Sequence, residues 1–298
     1  MSAEGAVTVF RSVRRRACEE RLLVLTAVGV AALVVPAPGE YLLQVAAPDA
    51  AAAARHLAQY EAENRSPPPP PPPLPLHAYA WVGCLLYAVT LLGIAYLISN
   101  GLVRLDAFDR GELDCARVQA GQWWRAWTAL TLHLDGPHLA ANLGAGVWFG
   151  YLAARQIGSG TAWLLIVSGA ALANLIEGLA GPAQHRAVGA STAVFTALGL
   201  MSAYSWRERL RLPLKRVRRY GPLIAGVILL GWLGSAGEET DLVAHLAGFV
   251  AGALLGVAAA APAARRALER LPQWLTGGAA LAAVAIAWGF ALYGPSTR

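Results

Sequence analysis

Residues 206–220 read Trp206-Arg207-Glu208-Arg209-Leu210-Arg211-Leu212-Pro213-Leu214-Lys215-Arg216-Val217-Arg218-Arg219-Tyr220, seven cations against one acid. This basic stretch separates two apolar runs, 191–205 and 220–233. Lysine and arginine concentrate on the cytoplasmic side of membrane proteins, so the stretch reads as a cytoplasmic loop between two membrane-crossing segments. Working outward from it, further apolar runs at 78–98, 137–154, 161–179, 242–261 and 276–293 give seven candidate spans in all. Several are shorter than the ~20 residues that an isolated span needs. Short helices are tolerated inside a bundle, where protein or water covers their ends.

Composition agrees with lipid as the solvent. Of the 298 residues, 56% are hydrophobic and 14% are charged, against about 25% charged in an ordinary soluble domain. The net charge of +6 is explained by topology, so no nucleic-acid partner is expected. Lys215 is the only lysine, no phosphate-binding GxxxxGK[ST] occurs, and no basic stripe interleaves with aromatics. The three cysteines, Cys18, Cys84 and Cys115, form no C-x-x-C pair, which argues against a zinc or redox motif. No metal and no cofactor are expected.

The N-terminal region needs separate treatment. Arg11, Arg14, Arg15, Arg16 and Arg21 mark it as cytoplasmic by the same charge rule. Two cytoplasmic points must be separated by an even number of crossings, and the four runs between 78 and 205 satisfy this. Counting the apolar run 22–35 as a span would break the parity, and its 14 residues reach only about 21 Å as a helix. That run also ends in Pro36-Ala37-Pro38-Gly39-Glu40 rather than at a small-residue cleavage site, so it does not read as a signal peptide. The pattern instead predicts a helix at 18–30, a strand at 31–35, a turn at 36–40, a strand at 41–46 and a helix at 48–64. Residues 1–65 are therefore expected to form a small cytoplasmic α+β domain, with a short interfacial anchor as the rival reading. Residues 66–76, dominated by Pro67–Pro73 and Pro75, are expected to be a stiff polyproline II linker.

Three polar constellations interrupt the apolar runs, where a polar residue is a functional candidate by default. In Val188-Gly189-Ala190-Ser191-Thr192, a serine opens an apolar helix where free backbone N–H groups collect. A plain serine N-cap is the bland alternative. In Ala244-His245-Leu246-Ala247-Gly248, a histidine lies near the start of a helix continued by Gly252 and Gly256, small residues whose spacing admits a close neighbour. His138 and Asn142, four residues apart, share one face at the start of the 137–154 run. Together these supply a nucleophile, a base and two hydrogen-bond donors, the parts that acyl transfer needs.

With Trp124-Arg125 in the loop after the first span, and with these motifs in this order, the sequence resembles the rhomboid family of intramembrane serine proteases. The resemblance covers roughly residues 77–262, and it implies an α-helical polytopic membrane protein with a six-helix core. Residues 263–298 would then add a basic loop and one extra C-terminal transmembrane helix. It further implies that Ser191 is the nucleophile and His245 the general base, with His138, Asn142 and the Ser191 N–H as the oxyanion hole. Phe195 would stack on the catalytic histidine, Gly189, Gly248 and Gly252 would support the site, and Trp124 and Arg125 would be structural. Substrates would be transmembrane segments of other proteins, met among membrane lipids in a bacterial inner membrane. The N-terminal domain would serve a partner that its sequence does not name. Thr192 stands where the family usually has glycine, so an inactive, rhomboid-like adaptor is the alternative. His185 is expected to be a solvated loop residue and Glu177 an interface residue.

Overall fold

A computed structural model describes residues 5–64, 76–101, 107–234 and 241–294. The expected polyproline linker falls almost wholly outside the described residues. The chain divides into two compact units, Met1–Pro71 and Pro72–Arg298.

The first unit runs β1 (Ala6–Ser12), α1 (Arg15–Ala27), β2 (Ala32–Ala37), β3 (Glu40–Ala46) and α2 (Ala50–Glu63). Its sheet is antiparallel in the order β1-β3-β2. Ala37 pairs with Glu40, which leaves Pro38-Gly39 as a two-residue turn. Proline pre-sets the first turn position, and Gly39 takes the second at φ +81°, where a side chain is disfavoured. Leu25 of α1, Leu43 and Val45 of β3, and Ala53 and Leu57 of α2 form the core. The apolar run 22–35 is shared between the end of α1, a turn at Gly29 and the start of β2. Strand β1 was not foreseen. Its alternating Val7-Thr8-Val9 pattern is short, and it runs straight into the arginines that signal topology.

The second unit is helical. It begins with α3 (Trp81–Ser99), then a folded segment made of α4 (Ala107–Gly111), β4 (Leu113–Asp114), α5 (Cys115–Gln119) and α6 (Arg125–Thr128). There follow α7 (Gly136–Ile157), α8 (Ser159–Ala180), β5 (Arg186–Ala187), α9 (Ser191–Arg209), α10 (Arg216–Gly234), α11 (Leu242–Ala259), α12 (Pro262–Arg270) and α13 (Gln273–Tyr293). Helices α3, α8, α11 and α13 are long and apolar enough to cross a membrane. The other expected spans coincide with α7, α9 and α10, each of which carries polar residues. Helix α7 holds His138, Asn142 and Arg155, α9 ends in Arg207-Glu208-Arg209, and α10 opens with Arg216, Arg218 and Arg219.

Helix α9 is the centre of this unit, buried continuously from Thr192 to Leu200. Helix α11 lies against it through glycines in register. A Cβ on Gly248, Gly252 or Gly256 would strike the carbonyl oxygen of Thr192, Thr196 or Leu200 respectively, and one on Gly199 would strike that of Phe249. Both helices thus step by four residues along the seam, with backbone against backbone. At the basic end, buried Glu208 pairs with Arg211 at 2.6 Å and Arg265 at 2.9 Å, tying α9 to α12. Arg211 also donates to the Ala260 carbonyl at 2.6 Å. At the other end of α13, Arg110 donates to the carbonyls of Ala291 and Leu292, both at 3.2 Å.

The glycine seam can be tested directly. Gly252→Val should cost more than about 3 kcal/mol, because its neighbours are backbone and cannot move aside. Gly144→Ala, with nothing within 4 Å, should stay within about 1 kcal/mol of wild type. Melting midpoints of the purified protein in detergent would check both.

Candidate active site

Ser191 is the first residue of α9, so its N–H has no acceptor within the helix. The turn that presents it is held from both sides. Gly189 N–H donates to the Ala129 carbonyl at 2.9 Å, and Ala190 N–H donates to His133 Nε2 at 3.3 Å. Gly189 has φ +130°, and a Cβ there would lie 2.8 Å from His138 Nε2 and 3.7 Å from Asn142 Nδ2. Glycine is therefore needed for its backbone angle and for the imidazole lying over it. The same contacts place His138 and Asn142 over the turn that carries Ser191.

These two donors are themselves positioned. Asp135 caps α7 by accepting from His138 N–H at 2.7 Å. Asn142 Nδ2 donates to the His138 carbonyl at 3.1 Å, and the Asn142 carbonyl accepts from the Tyr87 hydroxyl at 2.9 Å.

His245 lies one turn into α11, after the Asp241 cap, and is 7% exposed. Its ring sits 4.3 Å from that of Phe195, tilted by 37°. Phe195 is one turn beyond Ser191 on the same face of α9, so the imidazole stands over the face that begins at Ser191. His245 Nδ1 is 3.3 Å from the Gly234 carbonyl oxygen. Only the Nδ1–H tautomer can use that acceptor, and it leaves the Nε2 lone pair free. Among the described residues no hydrogen bond joins Ser191 Oγ to the imidazole. Such contacts are often long in a site without substrate.

Comparison with known proteins bears on this arrangement. Residues 120–262 match the family model described as the Rhomboid domain. The chain is 27% identical over 185 residues to the rhomboid protease GluP of Bacillus subtilis, covering 62% of this chain and 34% of that protein. It is 28% identical over 141 residues to the putative rhomboid protease YdcA of the same organism, covering 46% and 68% of the two chains. The chloroplastic rhomboid-like protein 11 of Arabidopsis thaliana is 28% identical over 143 residues, with 45% and 51% coverage. The chain carries a rhomboid domain. With its apolar helices, it is a multi-pass membrane protein. The matched stretch spans only about a third of the length of GluP.

Within the rhomboid domain, Thr192 is buried and its Cγ2 lies 3.1 Å from where a Cβ on Gly248 would stand. The extra methyl group is accommodated because the facing residue is glycine. Arg125 is 1% exposed and donates to Gln122 Oε1 at 2.7 Å, the Glu112 carbonyl at 2.8 Å and the Asp109 carbonyl at 2.7 Å. Trp124 stacks on Phe290 of α13, with ring centroids 6.0 Å apart and an interplanar angle of 17°. Both side chains build the segment between α3 and α7 and take no part in the cluster around Ser191.

His133 was missed, because it lies outside the motifs and acts through a main-chain N–H. Its ring meets that of His138 edge to face, with centroids 5.1 Å apart. Burial, and secondarily the neighbouring His138, lower its pKa from 6.5 to about 4. It is therefore neutral at physiological pH and able to accept from Ala190.

The folded protein keeps His133 neutral, whereas the unfolded chain takes up a proton below about 6.5. Its contribution is intact above that pH and declines as the pH falls towards about 4. His133→Ala should lower stability by about 1–3 kcal/mol by stranding the Ala190 N–H. His133→Gln, whose amide oxygen can accept, should recover part of that loss and flatten the acid limb. Melting midpoints measured across this pH range would show both effects.

Proposed function

We propose that the protein is an intramembrane serine endopeptidase working through a Ser191–His245 dyad. The observation that carries this reading is the seating of His245 on Phe195, over the face of α9 that begins at Ser191, with Nδ1 engaged by Gly234. His245 Nε2 takes the Ser191 proton as Oγ attacks the scissile carbonyl. The oxyanion receives N–H donation from Ser191, His138 and Asn142. The protonated imidazole then gives its proton to the leaving amine, and water releases the acyl group by the reverse sequence. No third carboxylate is required, since the Gly234 carbonyl orients the ring.

The substrates we infer are transmembrane segments of other membrane proteins, in helices that unwind readily and offer a small residue at the cut. The basic stretch 206–220 and the arginines of α12 would face the cytoplasm of a bacterial cell, as would the N-terminal unit. Ser191 would then open towards the other side. The domain boundaries read from the sequence, 1–65, 66–76, 77–262 and 263–298, are kept as part of this proposal. Thr192 was the one residue favouring an inactive adaptor, and its methyl group lying beside Gly248 supports the active reading.

Reconstituted wild-type protein should cleave a model transmembrane substrate and react with a fluorophosphonate probe. Ser191→Ala should lose at least about 10³-fold in rate together with the labelling. Asn142→Ala should lose about 10²–10³-fold while still being labelled. Equal cleavage by wild type and Ser191→Ala, or none by either, would overturn the assignment.

A further inference from the structure

Three side chains that this chemistry does not use meet beside the dyad. They are Glu177 on the last turn of α8, His185 on the segment between α8 and α9, and Asp241, the cap of α11. His185 Nε2 is 3.0 Å from Asp241 Oδ2 and 3.4 Å from Glu177 Oε1. One ligand-capable atom from each lies within 4.8 Å of the others. The burial of Glu177 and the engagement of His185 differ from the interface residue and solvated loop residue expected from sequence.

These approaches are ion-pair distances without hydrogen-bond alignment. His185 Nε2, Asp241 Oδ2 and Glu177 Oε2 are buried atoms without a hydrogen-bond partner. Glu177 is 8% exposed, so an unpartnered carboxylate oxygen is held out of water. A cation placed among the three residues would meet one ligand-capable atom from each. Around a tetrahedral ion with bonds of about 2.0–2.2 Å, neighbouring ligand atoms lie about 3.3–3.6 Å apart, and the two spacings from His185 are 3.4 and 3.0 Å.

The surroundings pre-orient the three groups. Asp241 Oδ1 accepts from Ala244 N–H at 3.0 Å, which turns Oδ2 towards His185. His185 is held by its own backbone, its N–H donating to the Pro182 carbonyl at 2.9 Å and its carbonyl accepting from Cys115 N–H at 3.1 Å. Two facing carboxylates repel in a low-dielectric site, whereas two carboxylates, a neutral imidazole and a divalent cation sum to zero charge. The side chains of His185 and Asp241 keep 29% and 21% exposure, enough for an ion to enter and for water to complete its coordination.

We propose that Glu177, His185 and Asp241 bind a divalent transition-metal ion, with zinc the best match. One imidazole and two carboxylates suit zinc, whereas magnesium favours octahedral oxygen and retained water. The ion ties the end of α8 and the segment leading to Ser191 onto the cap of the helix that carries His245. It is a structural clamp, and its existence does not depend on Ser191 being a nucleophile.

The test uses the full-length, tag-free protein in detergent, stripped with a chelator and titrated with zinc chloride. Bound metal is read by calorimetry and elemental analysis, and stability by the melting midpoint. Wild type should bind one zinc per chain, with a midpoint that rises with zinc concentration. Loss of an outer-shell partner alone typically weakens a metal site 10- to 100-fold, so His185→Ala and Glu177→Gln should each weaken binding by at least about 100-fold. Both variants should still melt cooperatively without zinc, and magnesium at the same concentration should not move the wild-type midpoint. The proposal is overturned if folded wild type binds no zinc, which would leave a shared proton among the three groups. It is equally overturned if both variants bind as wild type does, or if magnesium serves as well.

Discussion

Backbone contact between α9 and α11 is the constraint from which the rest of the second unit follows. Gly248, Gly252 and Gly256 present no side chain to the carbonyls of Thr192, Thr196 and Leu200, so the two helices approach more closely than larger residues would allow. In lipid there is no hydrophobic force to drive helices together, and such close packing must supply the attraction itself. The approach also sets the chemistry. The register that seats Gly248 on Thr192 seats His245 on Phe195 one turn away. Packing and the placing of His245 over the face that begins at Ser191 are thus one geometric fact, and a slip of one turn along the seam would undo both.

Much of this was legible in the sequence because it is written at helical spacing. Gly248, Gly252 and Gly256 fall four residues apart, as do His138 and Asn142, and each set marks one face. The basic stretch 206–220 marked the junction between two successive helices, α9 and α10. Seven apolar runs became seven helices, although among the described residues four qualify as spans by length and composition, because α7, α9 and α10 carry polar or charged residues near their ends. What stayed hidden depends on pairs distant in sequence. Glu177, His185 and Asp241 come from three segments with no common period. His133 serves through a hydrogen bond to the main chain, which no side-chain motif records. In the first unit, β1 ran too directly into the arginines to stand out, while the Pro38-Gly39 turn was plain.

The two ends of the helical unit are organised by opposite means. At the basic end, charge is paired with charge, as buried Glu208 collects Arg211 and Arg265. Around Ser191, neutral groups predominate. His133 is held uncharged, the Gly234 carbonyl and main-chain N–H groups do the positioning, and Asp135 and Asp241 serve as the caps of α7 and α11. The proposed acyl transfer, which develops and then disperses negative charge on a carbonyl oxygen, is served by fixed dipoles, which need no reorganisation as the charge appears.

Arg125 grips the segment between α3 and α7 mostly through main-chain carbonyls, those of Asp109 and Glu112. A carbonyl is the same whatever side chain its residue bears. The arginine therefore constrains the path of the chain and leaves its surface free to drift. Over evolutionary time this segment could change its outward chemistry, and with it what it meets in a new membrane, while the buried guanidinium kept the fold beneath it unchanged.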